Sequence, residues 1–276
     1  MTLQLTHRTR LKDLRDIGDE DVALAAAALD IAALHRAGTV QAPYLRHLES
    51  LIQEVGAYAG KAPDVDRAAE ALVQVIARRY GYGGDDESFD DFEAANLATV
   101  IDERRGLPVA LGILYIHVAR AQGWSVGGID FPGRFLVRLE VKAERRILDP
   151  FDHGRLLEPQ DLREMLKIGA GLEAELGPEH YREIGNREIL LRLENNLKVR
   201  HLRAEQFDDA LRVIETMLLF APETSSLWRE AGMIHARMDR VQEAILALEE
   251  FLRLDTSAES RYSASVLLQD LRSRLR

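Results

Sequence analysis

The sequence predicts an α+β fold dominated by helix: a small sheet against one buried helix, preceded by helices and followed by α–α hairpins. Three observations predict it. Pro108 to Ala121 is apolar on nearly every face, the composition of a helix buried on all sides. Phe135, Val137, Leu139 and Val141 alternate with Leu136, Arg138 and Glu140, the period of two of a strand with one strongly buried face. A 34-residue spacing then relates matching residues in the last third of the chain.

Residues 19–80 read as helices. Asp19 or Asp21 is placed to cap an Ala- and Leu-rich run from Val22 to Leu34, which Gly38 ends. Pro43 to Tyr58 carries Leu45, Leu48, Leu51, Ile52 and Val55 at helical spacing, and a third helix runs from about Val65 to Tyr80. Gly81-Tyr82-Gly83-Gly84 breaks the pattern, and six acids follow within Asp85 to Glu93. Such a cluster reads as a solvated loop or helix start, with a cation site or a docking strip for a basic partner as the alternatives. Its spacing lacks the central glycine of an EF-hand.

A helix around Asn96 to Glu103 leads into Arg104-Arg105-Gly106-Leu107-Pro108. Pro108 suits the first turn of the buried helix, where its missing N–H costs nothing, and Gly123 ends it. Short strands follow at Val126 to Phe131, Phe135 to Val141 and Arg146 to Leu148. From about Glu188 the chain is helical again. Ala210 and Ala244 lie 34 residues apart, in the matching contexts Phe207, Ala210, Leu211 and Val241, Ala244, Ile245. In that frame Trp228, Gly232 and Pro222 fall in the aromatic, small and proline slots of tetratricopeptide (TPR) repeats. Small residues let the two helices of a hairpin approach closely, and proline ends the second. The first unit is degenerate, with Glu194 and Lys198 in the aromatic and small slots. A final helix, Ala258 to Leu275, caps the array.

Composition narrows the function. The chain has no cysteine, which removes disulfides, thiolate catalysis, iron–sulfur clusters and thiolate zinc sites. A net charge of −10 argues against a nucleic-acid partner, and no apolar run is long enough to span a membrane. The start, MTLQLTHRTRLKDLRD, does not read as a signal peptide, so the expected location is the cytoplasm. At 276 residues the chain exceeds one ordinary core. Its segments read as an N-terminal helical region (1–84), a sheet-bearing domain (85–180) and helical repeats (181–276).

Four separated blocks carry a family resemblance: Asn96-Leu97 with Val100; Glu103-Arg104-Arg105-Gly106-Leu107-Pro108-Val109; Phe131-Pro132-Gly133 with Phe135-Leu136-Val137-Arg138; and Asp149-Pro150-Phe151 with Gly154-Arg155-Leu156-Leu157. In order and spacing they resemble the bacterial SirB family, in which a transglutaminase-like (papain-like) domain precedes TPR units. The resemblance implies that fold and, in active transglutaminase-like enzymes, a Cys–His–Asp triad. The cysteine stands at the start of the central helix, whose N-terminal dipole favours thiolate. The histidine lies on the next strand and the aspartate on the one after. Laid on this chain, the three slots fall at Pro108, Arg134 and Asp149. Proline offers no nucleophile, and arginine stays protonated, so it cannot serve as a general base near neutrality. The expected protein is a pseudoenzyme with no catalytic residues and no cofactor. Arg134 and Asp149, on adjacent strands, are expected to form a salt bridge in place of the His–Asp pair, or to bind a carboxylate or phosphate.

Other candidates have plainer readings. Asp149, Asp152 and His153 read as a turn rather than a metal site, since no second histidine stands at ligand spacing. His117 lies on the opposite face of the buried helix from Pro108 and reads as a satisfied core histidine. His201, His235 and Trp228 occupy helical positions in the repeats. No nucleophile elbow, P-loop or dinucleotide fingerprint occurs. The function these observations imply is a non-catalytic, regulatory or scaffolding protein–protein interaction with an unidentified, basic partner. The alternatives are a hydrolase or transferase rebuilt around Arg134, Asp149 and His153, and a small-anion sensor using Arg134, His153 and Arg155.

Overall fold

The computed structural model describes residues 2–89 and 91–274; Asp90, one of the six clustered acids, lies outside them. The chain divides into two compact units: residues up to His7 with Ile17–Leu193, and Arg8–Asp16 with Glu194–Arg276.

The first unit takes the start of α1 (Thr2–Asp13), then α2 (Leu24–His35), α3 (Gln41–Ala59) and α4 (Val65–Leu72). Sequence reasoning misses α1 because it carries no apolar stripe; its His7 is nonetheless buried and bonds Asp30 at 2.6 Å. The expected cap of α2 is also corrected. Ala23 precedes α2 with no side-chain cap, and Asp19 instead accepts from the Asn186 and Arg187 N–H groups at 2.6 and 2.9 Å. Those groups begin α8 (Asn186–Arg203), whose first turn has unsatisfied donors of its own. The third expected helix is α-helical only to Leu72 and continues as a π-helix over Val73–Arg79.

α5 (Leu97–Glu103) is capped by Asn96, whose side-chain oxygen accepts from the Ala98 and Thr99 N–H groups. The αL conformation of Arg104 ends it and turns the chain into α6 (Pro108–Ala121). α6 is the core of the unit, buried from Pro108 through Ile116, with α2, α3 and α4 packed on it.

The sheet comprises β1 (Ser125–Phe131), β2 (Arg134–Val141), β3 (Glu144–Asp149), β4 (Arg155–Leu157) and β5 (Glu183–Ile184), antiparallel in the order β4-β3-β2-β1-β5. One face meets α6, where the Phe135 ring fills the space left by Gly112 and Gly128. The other packs Ile129, Phe131, Leu136, Ile147 and Leu157 against Leu162 and Leu166 of α7 (Pro159–Ala170). Sequence reasoning misses α7, and also β4 and β5, whose three and two residues are too few to show a period.

The second unit continues α8 and adds α9 (Phe207–Phe220), α10 (Ser225–Arg237), α11 (Val241–Leu254) and α12 (Ala258–Arg274). The Arg15 guanidinium donates to the Leu219 and Leu218 carbonyls at 2.6 and 2.8 Å, satisfying orphan acceptors at the end of α9. α10 and α11 come close together at Gly232, where a Cβ would stand 2.7 Å from Leu248 Cγ and 3.4 Å from the Ala244 carbonyl oxygen. The Trp228 indole N–H donates to the Pro222 carbonyl at 2.8 Å, so two of the repeat positions are bonded to each other. Ala210 and Ala244 are fully buried. In the degenerate unit, Glu194 and Lys198 are buried too, and Lys198 ion-pairs with Glu230.

Candidate functional site: the start of α6 and the β3–β4 turn

Pro108 occupies the first position of α6, where a thiolate would gain most from the helix dipole. Residues Asp149 to Gly154 turn between β3 and β4, and Asp149 organises that turn. Only 3% exposed, it accepts from the Phe151 and Asp152 N–H groups at 2.9 and 3.3 Å, while its carbonyl accepts from the Gly154 N–H at 2.8 Å. Burial pushes the Asp149 carboxyl up from its ordinary value; the Arg134 charge and the two N–H bonds pull it partly back. Tyr115 of α6 is fully buried, its hydroxyl has no hydrogen-bond partner, and burial and the Asp149 charge both push it up. A Cβ on Gly154 would come within 2.5 Å of that hydroxyl, at a φ of +74°.

Arg134 does not form the expected salt bridge with Asp149. Its guanidinium carbon lies 5.0 Å from the Phe151 ring centroid, and its buried Nη1 has no hydrogen-bond partner. The physical reason is local. The turn's own N–H groups take up the Asp149 carboxylate, and the Phe151 face offers the cation a stacking surface. Phe151 also meets Phe89 at 4.9 Å.

The glycine run explains itself here. The Gly84 N–H donates to the Phe151 carbonyl at 2.8 Å, and a Cβ on Gly84 would enter the Phe151 ring. A Cβ on Gly83 would enter the His153 imidazole. His153 itself is exposed, in the αL region, and makes no hydrogen bond among the described residues. Arg155 is engaged by Asp152 at 3.6 Å and by Asp161. No hydrogen bond joins any two of Arg134, Asp149 and His153. The acids of the preceding cluster have an internal cation, because Arg105 ion-pairs with Asp91 at 3.2 Å and with Asp85 at 3.8 Å.

A polar trio escaped sequence reasoning. His47 of α3 meets the Tyr82 hydroxyl at 2.8 Å, and Arg104 donates through Nη1 to His47 Nε2 at 2.8 Å and to Tyr82. Burial first, then the Arg104 charge, holds His47 below the ordinary histidine value. Arg104 lies in a block that carries the family resemblance and Tyr82 in the glycine run. His47 has no signal of its own, being one polar residue on a helix. His117, expected to be satisfied, is half-buried with no hydrogen-bond partner among the described residues, and burial lowers it too. Among those residues no group of three or more His, Asp or Glu side chains is placed to hold a metal, and no helix is long and apolar enough to cross a membrane.

Comparisons with known proteins agree with this architecture. A family model described as the transglutaminase-like superfamily matches residues 42–195, and a tetratricopeptide repeat model matches 197–269. A UPF0162 protein of Xylella fastidiosa (strain Temecula1) is 28% identical over 263 residues, covering 90% of this chain and 89% of its own. A UPF0162 protein of Pseudomonas aeruginosa is 31% identical over 241 residues, covering 85% and 88%. Protein SirB1 of Salmonella typhimurium is 29% identical over 187 residues, covering 66% and 69%. No solved structure matches the chain significantly. With more than half of its length inside the first match and the repeats directly after it, the chain belongs to the SirB family of transglutaminase-like proteins with TPR repeats.

Proposed function

We propose that this chain is a non-catalytic, cytoplasmic interaction protein, in which the TPR hairpins hold a protein partner and the transglutaminase-like domain is a platform without acyl-transfer chemistry. The observation that carries the reading is Pro108 at the first position of α6 in a chain with no cysteine. Covalent acyl transfer needs a nucleophile there, and proline has none. Asp149 has a structural task in holding the β3–β4 turn, which supports the same reading.

The partner site we favour is the groove between α10 and α12, a cavity of about 580 Å³ lined by Arg229, Met233, Ser260, Ser263, Ala264 and Leu267. Met233 is 56% exposed there and offers an apolar side chain to a partner. The net charge of −10 favours a basic partner. The test is affinity capture from the native cell with wild type, Met233→Glu and Asp149→Asn as baits. The reading expects one partner shared by wild type and Asp149→Asn and depleted at least tenfold with Met233→Glu. Equal recovery on all three baits contradicts the groove.

A second reading has one observation in its favour: Arg134 Nη1 and the Tyr115 hydroxyl are both buried without partners near Asp149. That is a setting for a small-anion sensor. Thermal stabilisation by inorganic phosphate, lost in Arg134→Ala, would select it.

A further inference from the structure

We propose that the α7 side of the sheet carries a second binding site, for an amphipathic anion with a carboxylate or phosphate head and an apolar body. The site is independent of the TPR groove and of the Asp149 turn, and does not rest on the scaffold reading.

A cavity of about 810 Å³ opens over β2, β3 and β4, the start of α7 and the segment around Tyr181, within the range of small-molecule sites. Its lining is unusual for a protein with 46 acids and 36 Lys and Arg. Arg138, Arg145, Arg146 and Arg182 all face it, and Glu158 is its one acid. Beneath them lies an apolar floor of Ile147, Leu157 and Leu162 with the Tyr181 ring, continuous with the cluster that joins sheet to α7.

The arginines are held in place rather than loose. Asp66 grips Arg146 through two contacts, at 2.7 and 3.0 Å, and Glu140 holds Arg145 at 2.8 Å. Glu183 lies 3.0 Å from Arg138 Nε, and Arg138 Nη1 donates to the Tyr181 carbonyl at 3.2 Å. Each guanidinium has five N–H donors, so an acid that takes one or two leaves others for a ligand. Arg182 is exposed and has no ion pair among the described residues. The cavity thus holds one unneutralised cation and several pre-oriented donors over an apolar floor. A purely polar anion would leave the floor unused, and an apolar molecule without charge would leave the donors unanswered.

The test is calorimetric titration of the full chain with four probes: decanoate, decyl phosphate, acetate and decyltrimethylammonium. The variants are Arg182→Glu and, as a control with the same change in net charge, Arg203→Glu at an exposed position ending α8 in the second unit. The proposal expects saturable binding of decanoate or decyl phosphate to one site, weakened at least tenfold by Arg182→Glu and unchanged by Arg203→Glu. The tighter of the two identifies the head group. Acetate, which lacks the tail, and decyltrimethylammonium, whose head carries the opposite charge, are expected not to bind. Absence of saturable binding by both long-chain anions, equal binding of the cation, or equal effects of the two charge reversals would overturn it.

Discussion

The Arg134 guanidinium stacks 5.0 Å from the Phe151 ring centroid and makes no ion pair with Asp149. The two residues that fall in the histidine and aspartate slots of a transglutaminase-like triad therefore do separate jobs. One covers an aromatic ring; the other ties a turn through two backbone N–H bonds. They influence each other only through charge.

That division makes Asp149 separable by substitution. Asp149→Asn keeps an acceptor oxygen for the turn and removes a buried carboxylate, so its stability at pH 7 stays within about 1 kcal/mol of wild type. Asp149→Ala takes the acceptor from the buried Phe151 N–H and the half-buried Asp152 N–H and costs about 1–3 kcal/mol. Because burial raises this carboxyl, the folded state holds its proton more tightly than the unfolded chain does. Its contribution to stability accordingly falls as pH rises above the ordinary aspartate value of about 3.9. Urea unfolding between pH 4 and 7 checks both points, and Asp149→Asn flattens that slope.

Gly83 and Gly84 predict unequal penalties. A methyl group on Gly84 meets the buried Phe151 ring, which has nowhere to go, and Gly84→Ala costs about 1–3 kcal/mol. A methyl group on Gly83 meets the imidazole of exposed His153, which is free to rotate away. Gly83→Ala is therefore the milder change, and adding His153→Ala removes most of its effect. Thermal unfolding of the three variants checks the order.

His47 predicts a pH response of the opposite sign to Asp149. Burial and Arg104 hold its folded form neutral, so the unfolded chain takes up the proton more readily. Stability from this group is present above the ordinary histidine value of about 6.5 and is lost as pH falls below it. Removing the cation with Arg104→Leu raises the His47 titration midpoint, which an NMR titration of the imidazole protons reads directly.

Trp228→Phe tests the repeat hairpin. The ring packing of the aromatic slot is largely kept, while the indole bond to the Pro222 carbonyl is lost. The expected cost is about 0.5–1.5 kcal/mol, measured by denaturant unfolding.

Much of this architecture is legible in the sequence because it is periodic. α6 announces itself by being apolar all round, β2 by the spacing of two between Phe135, Val137, Leu139 and Val141, and the hairpins by Ala210 and Ala244, Trp228, Gly232 and Pro222 at repeat spacing. What stayed hidden has no period or depends on distant partners. β4 and β5 are too short to alternate, and α1 carries no apolar stripe. Asp19 looked like a local cap, yet its N–H partners lie at Asn186 and Arg187, more than 160 positions away. The site follows the same rule. Pro108, Arg134 and Asp149 were placed on their elements by the family resemblance, but the stacking of Arg134 on Phe151 depends on where a turn folds back. The contact of His47 with Tyr82 and Arg104 joins three segments that no local pattern connects.

The central claim is that the start of α6 performs no acyl transfer. The direct measurement is a time course of amide hydrolysis and amine incorporation on glutamine-containing peptides, comparing wild type with Asp149→Ala and His153→Ala. The account predicts that all three proteins match the protein-free background. Turnover by wild type that disappears in Asp149→Ala or His153→Ala would contradict it.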